Sequence, residues 1–564
     1  MRLALSLRVS LLALALGVAA TAAPGDVTFS QSAKSVETYD YVEIALNITA
    51  PDAANPFTGA TLSGWFGKAG GSQRVTVDGF CDSPDGSVFR LRFMPSSPGA
   101  YTYSVVYRQG GFEKRQEGTV EATPSKRRGP IRVDPDNPWH FIWEGTKEHY
   151  FFNGTTSFWL MGWRDERIIQ DAIERLHKLK INRMRVLLSG GTSTMYGEPV
   201  MTGDNFTLFL RPWLAQRPQS LDNPGIDYTR FDTAYWQKYE RMLRFARERD
   251  MIISVIQDIS DGRIHPAAYS EDEQRYLRYA AARLGAFSNI TWDLGDDMDG
   301  FRDEKWVHAT GTLLMKWDQA HHLASSHPIH RVAQDRASTW FGFTSIQDWS
   351  RQQHALMLEE REIQKKSGRI IPQTNEEYGY EDHYPHWAPE PPGDSAETLR
   401  RTAWDIAMAG AYGTAGESVR RGVNIWPDTG GGWVNGRGDD NMIMLKGYAH
   451  MVDFFASFEW WKTEPHDELV TSGGAYCLAQ PGEIYAVYLP LRPMCGNGDN
   501  AYEYAKECGP VTIRLEPGTY EASWFGASTG EIVKLPAAEG PVWTLPKPPG
   551  GNDWALLLKR SRNQ

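Results

Sequence analysis

The stretch that decides the fold is residues 252–294, IISVIQDISDGRIHPAAYSEDEQRYLRYAAARLGAFSNITWDL. The β-branched run Ile252–Gln257 is followed by an amphipathic run, Ser270–Ser288, and then by a second apolar run, Ile290–Leu294. Within the middle run, Ser270 and Glu273 have the spacing of a capping box, which marks the start of a helix. Two short apolar runs on either side of a helical pattern predict one strand–helix–strand unit.

The same rhythm extends over roughly 300 residues on both sides of this unit. Eight runs are predicted as strands: Tyr150–Leu160, Asn182–Leu188, Ile252–Gln257, Ile290–Leu294, His330–Ala333, Gly342–Ile346, Arg369–Gln373 and Tyr412–Gly416. Six runs between them have helical patterns: Glu166–Lys180, Tyr235–Asp250, Ser270–Ser288, Glu304–His322, Gln347–Gly368 and Ser395–Gly410. The predicted fold class is therefore α/β, a (β/α)8 TIM barrel, although the space between the fifth and sixth strands is short for a helix. A doubly wound open sheet is the alternative, and the absence of a Gly-rich phosphate loop after the first strand disfavours it.

Segments rich in short strands flank the predicted barrel on both sides. Residues 26–125 contain β-branched and aromatic runs separated by turn residues, and a similar pattern follows the helix-like run Asn441–Trp461. We expect an N-terminal β-sandwich at 26–125, a connector at 126–148, the catalytic barrel at 149–463 and a C-terminal β-sandwich at 464–560.

The N-terminus has the pattern of a secretory signal. Arg2 and Arg8 precede the apolar run Leu11–Ala20, so residues 1–22 are predicted to be a cleaved signal peptide and the protein to be secreted or periplasmic. No later run is long and apolar enough to predict a membrane span. Export permits disulfides, and Cys495 with Cys508 is a possible pair at the base of a polar excursion.

Composition limits the partners of this chain of 564 residues. Its formal charge of −11 argues against a protein that binds nucleic acid through a basic face. The 21 Trp residues are an unusual excess. Because sugar rings present apolar C–H faces, exposed indoles favour a carbohydrate partner.

In a barrel, function collects at the carboxyl ends of the strands, and two of the predicted strands end in acidic clusters. The fourth ends in Trp292-Asp293-Leu294-Gly295-Asp296-Asp297, and the seventh in Pro372-Gln373-Thr374-Asn375-Glu376-Glu377-Tyr378-Gly379. Two carboxylates facing each other across the barrel mouth are what glycoside hydrolysis requires.

Alternation along the fourth strand directs Asp293, Gly295 and Asp297 towards the barrel axis, which makes Asp297 the predicted acid. Asp296 stays an alternative for that role. Alternation does not decide between Glu376 and Glu377. Arg185 on the second strand is expected either to hold the opposing carboxylate ionised or to form an interior ion pair without catalytic purpose.

These motifs resemble the apiosidase-like glycoside hydrolases. Glu377-Tyr378-Gly379-Tyr380-Glu381 resembles their nucleophile strand, and Gly295-Asp296-Asp297 resembles their fourth-strand Gly-Gly-Asp, with Asp296 replacing the second Gly. Val77-Asp78-Gly79-Phe80 resembles their N-terminal sandwich of unknown function, and Pro517-Gly518-Thr519-Tyr520 resembles a C-terminal sandwich of the collagen-binding type. The resemblance implies that Asp297 is the acid/base and Glu377 the nucleophile.

The resulting expectation is a secreted glycosidase that acts on a polysaccharide or oligosaccharide, by a retaining rather than an inverting mechanism and without a cofactor. The alternative is a carbohydrate-binding or adhesion protein on an inactive barrel. Further candidates for substrate binding or support are Asp258, Trp340 and Trp426. A metal site at Asp258, Asp261 and His265 is disfavoured, since it lacks the spacing of common metal motifs, and no metal is expected.

Overall fold

The computed structural model describes most of the chain. The described residues are 24–191, 194–195, 198–199, 205–218, 220, 223–259, 264–329, 338–350, 352–381, 395–417, 432–438, 443–470, 474–490, 511–550 and 552–561. The predicted signal peptide, the possible Cys495–Cys508 pair and Trp426 lie outside them. The other two cysteines, Cys81 and Cys477, are buried and unpaired.

Eight parallel strands form a nearly closed barrel, which confirms the predicted fold class. The barrel strands, first to eighth, are Gly154–Thr156, Arg183–Leu187, Ile252–Ile256, Ile290–Asp293, Ala324–Ser325, Thr344–Gln347, Gln373–Glu377 and Tyr412–Glu417. The first strand pairs with the second and the eighth, and the chain of neighbours runs from the fifth round to the sixth. An isolated parallel bridge from Ala324 to Phe341 spans the remaining gap. All eight carboxyl ends therefore lie at one mouth.

Helices cover the outside of this barrel. The described helices are Glu166–Lys178, Thr233–Arg247, Glu271–Leu284, Glu304–Trp317, Gln353–Ser367, Ala396–Met408 and Met444–Ala456. The predicted capping box is confirmed: Ser270 Oγ accepts from the Glu273 backbone N–H at 3.1 Å, and Glu273 Oε2 accepts from the Tyr269 N–H at 2.6 Å. Such caps satisfy the orphan N–H groups of a first turn, which is why this helix begins where the sequence indicates.

Three predicted strands need correction. The run Tyr150–Leu160 is not one strand, because Tyr150 pairs with Phe141 in a separate three-stranded sheet and the barrel strand is only Gly154–Thr156. The seventh strand begins at Gln373, where the prediction ends. Ala324–Ser325 occupies the fifth position, and the predicted run 330–333 lies outside the described residues. A two-residue strand without β-branched side chains leaves no periodic signal to detect.

Both flanking regions are built of antiparallel sheets. The N-terminal strands are Val27–Gln31, Ser35–Glu37, Val42–Ile48, Ala60–Lys68, Val75–Asp78, Phe80–Cys81, Val88–Phe93, Gly99–Gln109 and Phe112–Thr123. The C-terminal strands are Glu464–Pro465, Tyr476–Gln480, Ile484–Leu489, Thr512–Arg514, Thr519–Gly526, Ile532–Lys534, Ala538–Glu539, Val542–Thr544 and Trp554–Arg560. Each region encloses an apolar core of its own, as a sandwich does.

A buried ion cluster joins the N-terminal sandwich to two barrel helices. Glu240 Oε1 accepts from Arg92 Nη1 of the sandwich at 2.8 Å and from Arg283 Nε of the next helix at 2.5 Å. Arg283 Nη2 donates in turn to Asp82 of the sandwich at 2.6 Å. All four side chains are at most 5% exposed, so the charges are matched where water cannot screen them.

The C-terminal sandwich is attached in the same way. Asp553 is fully buried and accepts from Arg400 Nη2 of a barrel helix and from the Tyr488 hydroxyl, both at 2.7 Å. Apolar packing continues across this contact, because Trp404 stacks on Tyr488 with ring centroids 5.0 Å apart. The two flanking regions thus brace the barrel from the helical side. Within the described residues, no helix has the length and apolarity that crossing a bilayer requires.

Glu240→Gln tests the ion cluster. The neutral amide removes the buried charge that Arg92 and Arg283 share and leaves them only Glu43 and Asp82 as partners, so we expect the free energy of unfolding to fall by about 3 kcal/mol. Urea unfolding followed by Trp fluorescence measures it. The control is Asp78→Asn, which breaks the pair with the half-exposed Arg278 at the edge of the same contact and should change stability by at most about 1 kcal/mol. Equal effects of the two substitutions would contradict the role of the cluster.

Candidate active site

Arg185 lies at the centre of the barrel and is fully buried. Its guanidinium contacts the Asp296 carboxylate, and its Nη1 lies 3.5 Å from Glu377 Oε2 and donates to the Glu376 carbonyl at 3.2 Å. Alternation along the second strand places Arg183 on the same inward face two residues earlier. The second strand is therefore linked through one side chain to the ends of the fourth and seventh strands.

Glu376 is the inner of the two seventh-strand acids. Its Oε2 accepts from Arg183 Nη1 at 2.7 Å, and both side chains are 0% exposed. Burial alone would raise the pKa of Glu376, but the guanidiniums of Arg183 and Arg185 outweigh burial and hold that pKa below its ordinary value. Glu376 is thus an ionised interior counter-charge that a substrate cannot reach.

Glu377 is the outer acid and reaches the mouth. Its side chain keeps 8% exposure. Oε1 accepts from Gln347 Nε2 at 3.1 Å, and Oε2 lies 3.5 Å from both Arg185 Nη1 and His327 Nε2. Burial raises the pKa of Glu377, and Arg185 opposes that rise. The carboxylate is oriented by groups from the second, fifth and sixth strands.

Asp296 faces Glu377 from the end of the fourth strand. Its backbone N–H donates to the Asp258 carbonyl at 3.0 Å, which turns its side chain inward onto Arg185. Burial raises the pKa of Asp296 although Arg185 contacts it. One carboxylate oxygen of Asp296, one of Glu377 and a ring nitrogen of His327 lie within 4.8 Å of one another.

Asp297 comes next and differs in exposure and backbone. The fourth strand ends at Asp293, and Asp297 has a left-handed backbone with φ +51°. The alternation expected from the sequence therefore applies to Asp293 and fails beyond it, because the chain turns before Asp296. Asp297 is partly exposed, whereas Asp296 is 2% exposed. A non-Gly residue in this region is strained, a feature that often accompanies functional sites.

His327 follows the fifth strand and is fully buried between the acids. Its Nδ1 lies 3.1 Å from Ser345 Oγ, and its Nε2 lies 3.7 Å from Asp296 Oδ1. Burial and the nearby Arg185 lower its pKa to about 4, so the imidazole is neutral at pH 7. Asp296, His327 and Glu377 have a spacing that could suit a metal ion. The position facing both carboxylates, however, already holds the fixed positive charge of Arg185.

Asp293 is buried behind this group. Its Oδ2 lies 3.6 Å from Arg185 Nη2, and burial raises its pKa to about 7 in spite of that guanidinium. Its neighbour Trp292 points the other way, and its indole N–H donates to Asp318 at 3.0 Å. The inward and outward directions predicted for this pair are thus observed.

The weaker sequence candidates separate into different roles. Asp258 is buried, and its Oδ1 accepts from the Ile259 N–H at 2.9 Å; burial raises its pKa well above the ordinary value. Trp340 is an anchor and not an open sugar platform, because it is 6% exposed and packs on Phe341 and Gly311. The His265 ring, which was considered as a metal ligand and disfavoured, stacks on Phe301 with Arg302 Nη2 3.4 Å from its Nδ1. Asp261 lies outside the described residues.

An exposed indole is present beside the acids at another position. Trp349, just after the sixth strand, is 39% exposed and meets Tyr380 edge-on with ring centroids 5.3 Å apart. Tyr380 in turn contacts the Glu377 carboxylate.

Arg183 and His327 were the least visible members of the site in the sequence. Their signals were an Arg-X-Arg spacing on an inward strand face and a His directly after a very short strand.

Comparison with known families agrees with this geometry. Residues 191–417 match the profile of the apiosidase-like catalytic domain. The chain contains an apiosidase-like catalytic domain. Residues 35–108 match a domain of unknown function, DUF5060, which corresponds to the N-terminal sandwich. The matched catalytic segment includes Asp296, Asp297 and Glu377 and omits the strand that carries Arg185. None of the curated proteins compared matches the chain.

Solved structures show the same fold at low sequence identity. A protein of Bacteroides vulgatus, provisionally described as a glycoside hydrolase, superposes with a TM-score of 0.72 at 18% identity, over 94% of this chain and 100% of its own. A family 5 glycoside hydrolase of the same species superposes with a TM-score of 0.57 at 16% identity, over 77% of this chain and 93% of its own. Another structure described as a glycoside hydrolase superposes with a TM-score of 0.58 at 16% identity, over 78% of this chain and 98% of its own. This apiosidase-like domain therefore has the fold of glycoside hydrolases.

Asp293→Asn tests the buried acid by its effect on stability against pH. A raised pKa means that the folded chain binds a proton that the unfolded chain releases, so stability falls as pH rises from about 4 to 7. The amide cannot titrate, so the melting temperature should decline less over this range than in the parent protein. Asp171→Asn, at an exposed helix position, is the control and should leave the decline intact. An unchanged decline in Asp293→Asn would contradict a proton on that side chain.

Proposed function

We propose that this protein is an exported glycoside hydrolase that cleaves O-glycosidic bonds in a polysaccharide or its side chains by a retaining mechanism with two carboxylates. Glu377 is the nucleophile and Asp297 the general acid/base. The observation that carries the proposal is the position of Glu377: it faces the acids of the fourth strand across the barrel mouth while Arg185, His327 and Gln347 orient it.

The choice of Glu377 over Glu376 follows from access. A nucleophile must reach the anomeric carbon, and Glu376 is enclosed by Arg183 and has no exposed surface. Glu377 has two oxygens in different environments, one on Gln347 and one near Arg185. Arg185 favours its ionised form, which is the form that attacks the sugar. Arg183 thus stabilises Glu376 as a structural anion, while Arg185 stabilises the ionised form of Glu377, the proposed nucleophile.

The choice of Asp297 over Asp296 follows from exposure. A general acid must meet the leaving oxygen, which belongs to the part of the substrate that extends to solvent. Asp297 is partly exposed at the turn, whereas Asp296 is buried on Arg185. Its contact with Arg185 directs the Asp296 carboxyl inward, away from the solvent side on which the leaving group lies.

Retention is supported by the short distance across the site. Retaining enzymes have catalytic carboxyls about 5–5.5 Å apart, and inverting enzymes about 6.5–9.5 Å apart with a water between them. A carboxylate oxygen of Asp296, the residue directly before the proposed acid, lies within 4.8 Å of one of Glu377. The turn that carries Asp297 therefore lies close to Glu377, which favours direct attack by Glu377 over attack by an intervening water.

The predicted signal peptide supports export to the periplasm or the medium, where polysaccharides are found. The fold neighbours described as glycoside hydrolases support the reaction class. A second candidate function is sugar binding without hydrolysis, with attachment through the sandwiches. The grouping of Glu377, Arg185 and the fourth-strand acids favours catalysis, because binding alone does not require buried carboxylates at this spacing. A panel of cell-wall polysaccharides, including apiose-containing pectin, distinguishes the two by release of reducing sugar.

Glu377→Ala and Asp297→Ala test the assigned roles. Each should lower kcat on a released-sugar assay by at least about 10²–10⁴-fold, because the first removes the nucleophile and the second the proton donor. On a substrate whose leaving group needs no protonation, such as a p-nitrophenyl glycoside, added azide should rescue both: the nucleophile variant gives a glycosyl azide of inverted configuration and the acid/base variant one of retained configuration. Glu362→Ala, on an exposed helix face, is the control and should have normal turnover. Normal turnover in either active-site variant would contradict its role.

Trp349→Ala tests the exposed indole as a sugar platform. Loss of a stacking surface worth about 0.5–1.5 kcal/mol should raise KM by about 2- to 12-fold with a smaller effect on kcat. Trp349→Phe keeps an aromatic face and should restore most of the affinity. A KM that is unchanged in Trp349→Ala would exclude the platform, and initial-rate kinetics on the same polysaccharide measures it.

A further inference from the structure

Two carboxylates compete for one guanidinium at this site. Arg185 contacts Asp296 through Nη2 and approaches Glu377 through Nη1 at 3.5 Å. The two acids come within 4.8 Å of each other, and both are largely buried, with 2% of Asp296 and 6% of Glu377 exposed. Two like charges this close in a buried site are difficult to ionise together, so the state of one acid depends on the other.

The charges around Asp296 do not remove this conflict. The titratable and charged groups that face it, by strand from the second to the seventh, are Arg185, Asp258, Asp293, His327, Glu376 and Glu377. The imidazole of His327 is neutral, and Glu376 is matched by Arg183. Arg185 is therefore the main positive charge available to Asp296, Asp293 and Glu377 together.

We propose that Asp296 is a positioning residue that competes with the nucleophile for Arg185 and thereby sets the lower pH limit of turnover; this inference rests on the proposed role of Glu377 as that nucleophile. At mildly acidic pH the pair Asp296 and Glu377 holds one proton, and Arg185 favours the carboxylate that it contacts, Asp296. Glu377 becomes fully ionised only at higher pH. With an uncharged side chain at position 296, the positive charge of Arg185 would stabilise the Glu377 carboxylate without competition from Asp296.

Asp296→Asn is the test, with two readouts. The amide removes the competing charge at nearly constant shape, so the pKa of Glu377 falls and the acidic limb of the kcat/KM profile should move by about one unit to lower pH. The alkaline limb, which reports the proton donor, should move less. The substrates are p-nitrophenyl β-D-glycosides of glucose, galactose, xylose and apiose. Asp293→Asn is the matched control, because it replaces the acid on the other side of Arg185, whose raised pKa of about 7 already keeps it protonated at acidic pH, and it should shift the acidic limb less.

The second readout needs no turnover. Infrared difference spectra over a pH titration follow the C=O stretch of protonated carboxyl groups, and subtraction of the Glu377→Gln spectra assigns the band of Glu377. Its midpoint should fall in Asp296→Asn. If the parent protein releases sugar neither from these glycosides nor from the polysaccharide panel, the proposed function fails while this measurement still decides the competition.

The other outcomes overturn the inference. An acidic limb and an infrared midpoint that stay in place would show that Asp296 has a packing role only. A loss of more than about 10²-fold in kcat that azide rescues would identify Asp296 as the general acid itself. Equal shifts in Asp296→Asn and Asp293→Asn would assign the effect to total charge around Arg185. If Asp296→Asn does not fold, Asp296→Ser removes the same charge with a smaller side chain and serves in its place.

Discussion

The burial of Arg185 inside the barrel is the constraint on which the site depends. An unpaired guanidinium in a dry interior would be strongly destabilising, so the strands around it must supply carboxylates. Asp293, Asp296, Glu376 and Glu377 do so from two strands. The same arrangement that compensates a buried cation brings acids from the fourth and seventh strands face to face, and the proposed hydrolysis uses that arrangement.

Acidic side chains outnumber the arginines in this group, so not every carboxylate has a positive charge of its own. Arg183 is committed to Glu376, which leaves Arg185 to be shared among three carboxylates. Burial therefore raises the pKa of Asp293, Asp296 and Glu377, while Glu376 remains ionised. The proton balance at the mouth follows from geometry and not from any single residue type. Comparable clusters of matched charge, around Glu240 and Asp553, hold the two sandwiches against the barrel helices.

Much of the fold could be predicted because helical and strand periodicity is local. The helix that begins after Ser270 and the strand from Ile252 were each visible in one short run of consecutive residues, and the structure has both. The fifth strand was missed because Ala324–Ser325 is too short to carry a pattern. The first strand was predicted too long because Phe151 and Phe152, which precede it, extend the apolar run beyond the residues that pair in the barrel. The glycoside hydrolase resemblance likewise came from short motifs at strand ends, and the matched catalytic domain contains them.

The sequence by itself determined the barrel class, the flanking β regions and the two acidic strand ends that meet at one mouth, because each depends on residues close together in the chain. Only the tertiary structure decided which acid of each adjacent pair is buried against an arginine and which is more exposed. Alternation stops where a strand stops, and Asp296 turns onto Arg185 because its backbone N–H bonds to the neighbouring strand at Asp258. Likewise Glu376 is distinguished from Glu377 by Arg183, a residue almost two hundred positions away. Trp340 was a candidate from the sequence, and its packing against Gly311 buries it, whereas Trp349 stays exposed beside the site.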